Sequence, residues 1–163
     1  MDAQTTPMSA VVADDEPEIR DLISEYLIKL GYQVTQAGDG LEALLHVRDL
    51  RPTLLILDLM MPRLGGIDAL GHIRRTYPNV AIIVLTGTSD DALRGRVVGL
   101  GAAALLPKPL DLDILGTIIS TIAPRSVSAL ALLVSEGVVD QREKSSHVER
   151  LGQVRAGPLL EQP

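Results

Sequence analysis

The chain has 163 residues, of which 46% are hydrophobic and 22% are charged, as in an ordinary globular protein with a buried core. It has no Cys, which excludes disulfides and thiolate metal sites, and no Phe or Trp for stacking on single-stranded nucleic acid. The formal net charge is −6, and residues 1–123 hold the whole acidic excess, which argues against DNA or anionic lipid as a direct partner of that part.

Strands and helices are predicted to alternate along the first 123 residues. Apolar side chains recur at helical spacing from Glu18 to Leu30, and Pro17 and Gly31 suit the start and the end of that helix. The second helix is predicted to pack through four apolar residues, Leu41, Leu44, Leu45 and Val47. The predicted strands are 9–13, 32–37, 53–57, 80–85 and 103–106, and the predicted helices are 17–30, 40–50, 66–77, 90–100 and 112–122.

Two of the predicted strands, "TLLIL" at 53–57 and "VAIIVL" at 80–85, are continuously apolar. A strand of this kind is typical of a parallel sheet that helices cover on both faces. Five alternations of strand and helix demand the same arrangement. The sequence therefore predicts a doubly wound α/β domain, with a five-stranded parallel sheet, over residues 8–123.

The alternation stops after Pro124. Residues 126–139 could form one amphipathic helix, and 140–163 are polar and end in Gly and Pro, which is typical of a loose tail. Because no output domain is recognisable in 124–163, we interpret this part as a C-terminal tail. The first ten residues lack the basic and apolar regions of a signal peptide, and no apolar run is long enough to span a bilayer. A cytoplasmic protein without a membrane partner is expected.

Polar side chains follow four of the predicted strands, at the edge where an open parallel sheet binds its ligands. Each has an ordinary structural explanation, such as a helix cap, a turn or a surface salt bridge. Their joint occurrence at successive strand ends favours a functional site instead. The residues are Asp14, Asp15 and Glu16 after the first strand, Asp58 after the third, Thr86 and Gly87 after the fourth, and Lys108 and Pro109 after the fifth.

The chemistry of this cluster favours Mg²⁺ and phosphoryl transfer. Neighbouring carboxylates repel one another unless a cation intervenes, and oxygen ligands without His or Cys select a hard divalent ion such as Mg²⁺. Asp58 is a candidate nucleophile, because a carboxylate can accept a phosphoryl group, and Lys108 would offset the charge of that group. The sequence has no Gly-rich phosphate cradle, so the binding site for the phosphate donor must lie on another molecule.

Four motifs in this order, "VVADDEP", "LLILDLMMPRLGG", "VLTG" and "LLPKPL", resemble the receiver domain of two-component response regulators, the CheY-like fold. The resemblance covers the chain from Met8 to Ala123 and implies the flavodoxin-like strand order 2-1-3-4-5. It also implies that Asp58 takes phosphate from the phosphohistidine of a histidine kinase or a histidine phosphotransfer protein. Receivers hydrolyse their own aspartyl phosphate, so the resemblance implies a signalling switch that catalyses both steps and no metabolic reaction.

The resemblance also implies roles for the neighbouring residues. Asp15 and Asp58 would ligate Mg²⁺ directly, and Asp14 and the main-chain carbonyl of Met60 would assist. Lys108 would hold a phosphoryl oxygen. The switch residues implied by the family are Thr86, which would move toward the phosphoryl group, Gly87, which would leave room beside it, and Pro109, whose bond to Lys108 would be cis.

The sequence departs from the family pattern at Leu105, where many receivers carry Tyr or Phe. A switch that couples a threonine to an aromatic rotamer is therefore not expected. Gly95 and Gly99 lie in the fourth predicted helix, and each costs helix stability by roughly 1 kcal/mol relative to Ala. We hypothesise that these two glycines make the fourth helix mobile. This mobility would take the place of the aromatic rotamer change in the switch.

The sequence is compatible with two functions. In the first, phosphorylation alters a face at residues 90–122, which binds a protein partner or a second copy of the chain, or passes the phosphoryl group onward. In the second, the chain is an interaction scaffold that works through the same face and the tail, largely independent of phosphorylation. A small-molecule enzyme is less favoured, because Met60 stands where a haloacid-dehalogenase-type phosphatase needs a second Asp, and "DDEP" where a flavin binder needs a phosphate-binding loop.

Overall fold

The structure is a computed structural model and describes residues 7–122. The predicted tail at 124–163, with its candidate helix, lies outside the described residues. The five strands are β1 (Ser9–Ala13), β2 (Gln33–Ala37), β3 (Leu54–Asp58), β4 (Ala81–Thr86) and β5 (Ala104–Pro107). The five helices are α1 (Pro17–Lys29), α2 (Gly40–Leu50), α3 (Gly66–Thr76), α4 (Asp91–Gly99) and α5 (Leu112–Ile122).

The strands form one parallel sheet in the order β2-β1-β3-β4-β5, which confirms the predicted fold class. The order reverses between β1 and β3, because the chain crosses from β2 back over β1 to β3. β3 is buried along its whole length, as its continuously apolar sequence predicts. It extends one residue further than predicted, so that Asp58 pairs in register with Leu85 of β4. The sheet therefore holds the main chain of Asp58.

The inward face of α2 agrees with the prediction at Val47, which is buried, and at Leu44, which packs against the core, but differs at Leu41 and Leu45. Leu41 and Leu45 are 44% and 40% exposed, whereas Gly40, Ala43 and Val47 are the buried residues of this helix. These three lie at i, i+3 and i+7, and two of them are small, so the helix backbone can approach its neighbours closely. Apolar spacing alone did not distinguish the two faces, because both carry hydrophobic residues.

The helix α4 has the smallest buried face of the five. Val97 is its one buried residue, and Val98 is 61% exposed. Asp90 caps the helix, since its Oδ1 accepts a hydrogen bond from the Ala92 amide at 2.9 Å. A nine-residue helix with one buried side chain and two glycines is only weakly stabilised.

Within residues 7–122, every helix is too short or too polar to cross a membrane.

Candidate functional site

Four strands deliver the predicted site residues to one edge of the sheet. Asp14 follows β1, Asp58 ends β3, Thr86 ends β4 and Lys108 follows β5. Because all the strands are parallel, their carboxyl ends lie at the same edge, and the reversal between β1 and β3 opens it to ligands. Asp14, Asp58 and Thr86 are buried there although they are polar. Buried polar groups need partners. Lys108 and main-chain amides supply them to the two aspartates, and Thr88 supplies them to Thr86.

Lys108 lies at the centre of this cluster. Its Nζ is 2.7 Å from Asp14 Oδ2, 3.2 Å from Glu16 Oε1 and 3.3 Å from Asp58 Oδ2. Burial on its own would lower the pKa of Lys108, but the surrounding carboxylates outweigh burial and raise it well above its usual value. Lys108 therefore carries its positive charge at neutral pH and joins the ends of β1, β3 and β5.

Asp58, the carboxylate that ends β3, is 2% exposed. Its Oδ1 accepts a hydrogen bond from the Met60 amide at 3.3 Å, while Oδ2 faces Lys108. Burial raises the pKa of Asp58, and the nearby Asp14 carboxylate raises it further. The Met60 amide and Lys108 oppose this effect without cancelling it. The folded protein thus holds Asp58 in an environment that disfavours its negative charge, which a further cation would relieve.

Asp14, Asp15 and Glu16 bring carboxylate oxygens within 4.8 Å of one another, and Asp15 and Glu16 are exposed. Asp14 Oδ1 also accepts the Glu16 amide at 2.9 Å, which orders the start of this turn. The donor set contains only oxygens, faces solvent on one side and carries excess negative charge, so it fits Mg²⁺. Asp58 is linked to this group through Lys108 and Asp14.

Thr86 is buried at the end of β4, and its hydroxyl is engaged within its own loop. Thr86 Oγ1 accepts the Thr88 amide at 3.2 Å and lies 3.3 Å from the Thr88 carbonyl oxygen, to which it donates. The Thr86 carbonyl accepts the Lys108 amide at 2.8 Å. In this conformation the hydroxyl is not hydrogen-bonded to Asp58, so any contact with a group on Asp58 requires the side chain to rotate.

The remaining switch residues are Gly87 in this loop, Leu105 in β5 and Pro109 just after β5. A Cβ placed on Gly87 would meet no heavy atom within 4 Å, so the space beside Thr86 is open. Leu105 in β5 is half-buried and packs against the hydrophobic core. The peptide bond between Lys108 and Pro109 is cis. The side chain of Met60 is largely exposed, and its amide is the group that contacts Asp58.

Three residues without a role predicted from the sequence make contacts at or near this site. Glu16 pairs with Lys108, and Arg20 of α1 donates from Nη1 to the Asp14 carbonyl at 2.6 Å. Arg63, in the loop after β3, forms an ion pair with Asp39. The position of Glu16 beside two aspartates was a usable signal, whereas the Arg20 and Arg63 contacts depend on how separate segments lie together.

The sequence also matches known proteins. Residues 10–120 match the family model of the response regulator receiver domain. Response regulator MprA of Mycobacterium sp. strain KMS is 40% identical over 109 residues, which are 66% of this chain and 46% of that protein. The probable transcriptional regulatory protein TcrX of Mycobacterium tuberculosis is 34% identical over 113 residues, which are 68% of this chain and 47% of that protein. The chain thus spans about half the length of these relatives.

Solved structures agree with the sequence matches. The chemotaxis protein CheY4 of Vibrio cholerae superposes with a TM-score of 0.67 at 27% identity, covering 72% of this chain and 99% of that one. A response regulator receiver domain protein of Clostridium thermocellum has a TM-score of 0.65 at 30% identity, covering 71% and 93%. With its strand order and its carboxylate–lysine cluster, the chain belongs to the response regulator receiver domain family of two-component systems.

Proposed function

We propose that Asp58 is the phosphoacceptor of this receiver domain, which extends over residues 8–123. The observation that carries the proposal is the contact of Lys108 Nζ with Asp58 Oδ2 at 3.3 Å and Asp14 Oδ2 at 2.7 Å. An Asp58 oxygen forms the new bond to phosphorus, and the bond between phosphorus and its donor atom breaks. For a phosphohistidine donor the leaving group is the imidazole of a histidine kinase or a histidine phosphotransfer protein.

Lys108 has two roles in this proposal. Before transfer it offsets the charges of Asp58 and Asp14, and afterwards it holds a phosphoryl oxygen by a charge-assisted hydrogen bond. Because Lys108 follows β5 while Asp58 ends β3, the pair also links opposite sides of β4. A change in charge at Asp58 therefore acts electrostatically on Lys108 and, through it, on the end of β5.

Asp15 and Asp58 are the carboxylates that would hold Mg²⁺, with Asp14 and the main-chain carbonyl of Met60 assisting. When bound, Mg²⁺ supplies positive charge to the phosphoryl oxygens. The support for this ion is the oxygen-only donor set of Asp14, Asp15 and Glu16 and the raised pKa of Asp58, both of which favour a cation nearby.

The decisive test is incubation of the full chain with acetyl phosphate and Mg²⁺, followed by intact mass measurement. Wild type is expected to gain one phosphoryl group, and Asp58→Ala is expected to gain none. Omitting Mg²⁺ or adding a chelator should abolish the gain. A wild-type chain without added phosphate would overturn the proposal and favour the scaffold function, and equal labelling of Asp58→Ala would place the acceptor elsewhere.

The output of this switch is proposed to lie on the face at residues 90–122. Phosphorylation adds negative charge and acceptor oxygens at Asp58, and Thr86 rotates toward them into the space beside Gly87. Leu105 has no aromatic ring that could change its rotamer when Thr86 rotates. The conformational change is therefore transmitted to α4. This face then binds a protein partner or a second copy of the chain, in the cytoplasm, where kinases have access to ATP.

The helix α4 is suited to this role because it buries one side chain and carries Gly95 and Gly99. We expect phosphorylation to change amide hydrogen exchange across residues 86–100 by several-fold, while exchange in β3 stays slow. Hydrogen exchange with mass spectrometry, before and after treatment with acetyl phosphate, measures this. Unchanged exchange across 86–100 in a chain that carries the phosphoryl group would exclude α4 as the switch element.

A further inference from the structure

An ion pair joins two loops beside the proposed phosphoacceptor. Arg63 lies in the loop between β3 and α3, and its Nη2 donates to Asp39 Oδ2 at the start of α2. The side chain of Asp39 is 5% exposed, whereas that of Arg63 is 66% exposed. The buried partner is thus the carboxylate, and the arginine reaches inward from the loop to meet it.

Asp39 is a rigid anchor because the helix end fixes it. Its Oδ1 accepts the Glu42 amide at 2.9 Å, and the Glu42 carboxylate accepts the Gly38 amide at 2.7 Å. These two contacts resemble a capping box in which the glutamate accepts the amide one residue before the cap. Burial alone would raise the pKa of Asp39, but the Glu42 amide and the Arg63 guanidinium together hold it below its usual value. Asp39 is therefore ionised at neutral pH and fixed in place.

The loop from Leu59 to Gly65 has few main-chain hydrogen bonds of its own. Among the described residues of this segment, Leu64 donates to the Pro62 carbonyl at 2.9 Å, and the Gly66 amide closes the loop on Leu59 at 3.2 Å. Arg63 itself has a φ of +65°, which residues other than glycine rarely adopt. Such a conformation persists only where the surroundings impose it.

A second contact lies next to the ion pair. A Cβ placed on Gly40 would collide with the Leu64 carbonyl oxygen, so the start of α2 and the loop touch main chain to main chain. Arg63 and Leu64 are thus both held against α2, by charge and by close packing. The same loop carries Met60, whose amide contacts Asp58 Oδ1.

We propose that the Asp39–Arg63 ion pair is a positioning element that orders the loop from Leu59 to Gly65 for Mg²⁺ beside Asp58. The inference rests on the proposed function, in which the Met60 carbonyl of this loop assists the ion. Neither Asp39 nor Arg63 touches the reacting groups. Because the pair orders the loop before the ion arrives, less conformational entropy is lost on binding.

The test is calorimetric titration of the full, unphosphorylated chain with Mg²⁺, comparing wild type with Arg63→Ala and Asp39→Asn. Asn still caps a helix, so Asp39→Asn removes the charge and keeps the cap. Each variant is expected to bind Mg²⁺ about three- to tenfold more weakly. Phosphorylation by acetyl phosphate should fall at limiting Mg²⁺ and recover at saturating Mg²⁺.

The signs of the two effects separate positioning from simple electrostatics. Removing the positive charge of Arg63 would tighten binding of a cation if charge alone mattered, whereas removing the negative charge of Asp39 would weaken it. Positioning weakens binding in both variants. Positioning also predicts that the double variant binds Mg²⁺ no more weakly than the single variant with the lower affinity, because the two residues act through one contact.

Two further variants complete the design. Arg48→Ala removes an arginine of α2 whose partner, the exposed Asp49, lies 2.7 Å away, and Mg²⁺ affinity should not change. Arg63→Gly relieves the backbone conformation but still lacks the guanidinium, so it should bind Mg²⁺ as weakly as Arg63→Ala. Wild-type affinity in Arg63→Ala or Arg63→Gly would overturn this inference alone, whereas a wild-type chain that binds no Mg²⁺ would overturn the proposed metal site with it.

Discussion

Lys108→Met is expected to lower the free energy of unfolding by about 3 kcal/mol at pH 7 in Mg²⁺-free buffer. Lys108 contacts Asp14 and Asp58, both of which are buried, so its removal leaves two neighbouring carboxylates without their cation. Methionine fills a similar volume with a flexible apolar chain, so the loss is mainly electrostatic. Urea denaturation followed by circular dichroism measures the change, and added Mg²⁺ should restore part of it.

Two variants check the electrostatic origin of this effect. Lys29→Met removes an exposed lysine at the end of α1 and should change stability by less than about 0.5 kcal/mol. Asp58→Asn should act in the opposite direction and stabilise the chain. If Lys108→Met is as stable as wild type in Mg²⁺-free buffer, the lysine does not hold the cluster together.

The gain from Asp58→Asn has a defined pH dependence. The fold raises the pKa of Asp58, so the folded chain keeps its proton at a pH where the unfolded chain has lost it. Ionising Asp58 in the folded chain lowers the free energy of unfolding. This cost is absent below the pKa of Asp58 in the unfolded chain, about 4, grows as pH rises through its pKa in the folded chain and is complete above that. Asp58→Asn should therefore be more stable than wild type at pH 7, and the difference should vanish toward pH 3.

Gly66→Ala is expected to destabilise the chain by about 2–3 kcal/mol and to slow phosphorylation. A Cβ on Gly66 would collide with the Asp58 carbonyl oxygen and lie 2.6 Å from the Leu59 Cα. These are main-chain atoms, which cannot rotate away as a side chain would. The added methyl group therefore displaces the end of β3 together with Asp58.

Gly95→Ala is the matched control, since a Cβ there would meet nothing within 4 Å. Alanine is a better helix former, so this variant should gain up to about 1 kcal/mol of stability. Thermal unfolding of both variants, with acetyl phosphate kinetics, measures the contrast. Equal changes in the two variants would show that the close contact at Gly66 has no special cost.

The helices and strands and their alternation along the chain were predictable from sequence because they depend on local patterns, whereas the strand order in the sheet was implied by the family resemblance. Continuously apolar runs predicted β3 and β4, and the alternation with helices predicted the parallel sheet. A parallel sheet places all carboxyl ends at one edge, so Asp14, Asp58 and Lys108 were expected to meet there, and they do. The roles of these residues in phosphoryl transfer stay predictions.

Contacts between separate segments were decided only in the tertiary structure. Leu41 and Leu45 were expected inward together with Leu44 and Val47, but α2 approaches its neighbours closely at Gly40 and buries the side that carries Ala43 and Val47. The Asp39–Arg63 pair spans 24 positions, and its arginine has a left-handed φ, for which the sequence has no periodic signal. Sequence periodicity specifies which elements form, because it acts within a helix or strand. The side-chain partners across loops follow from how those elements pack.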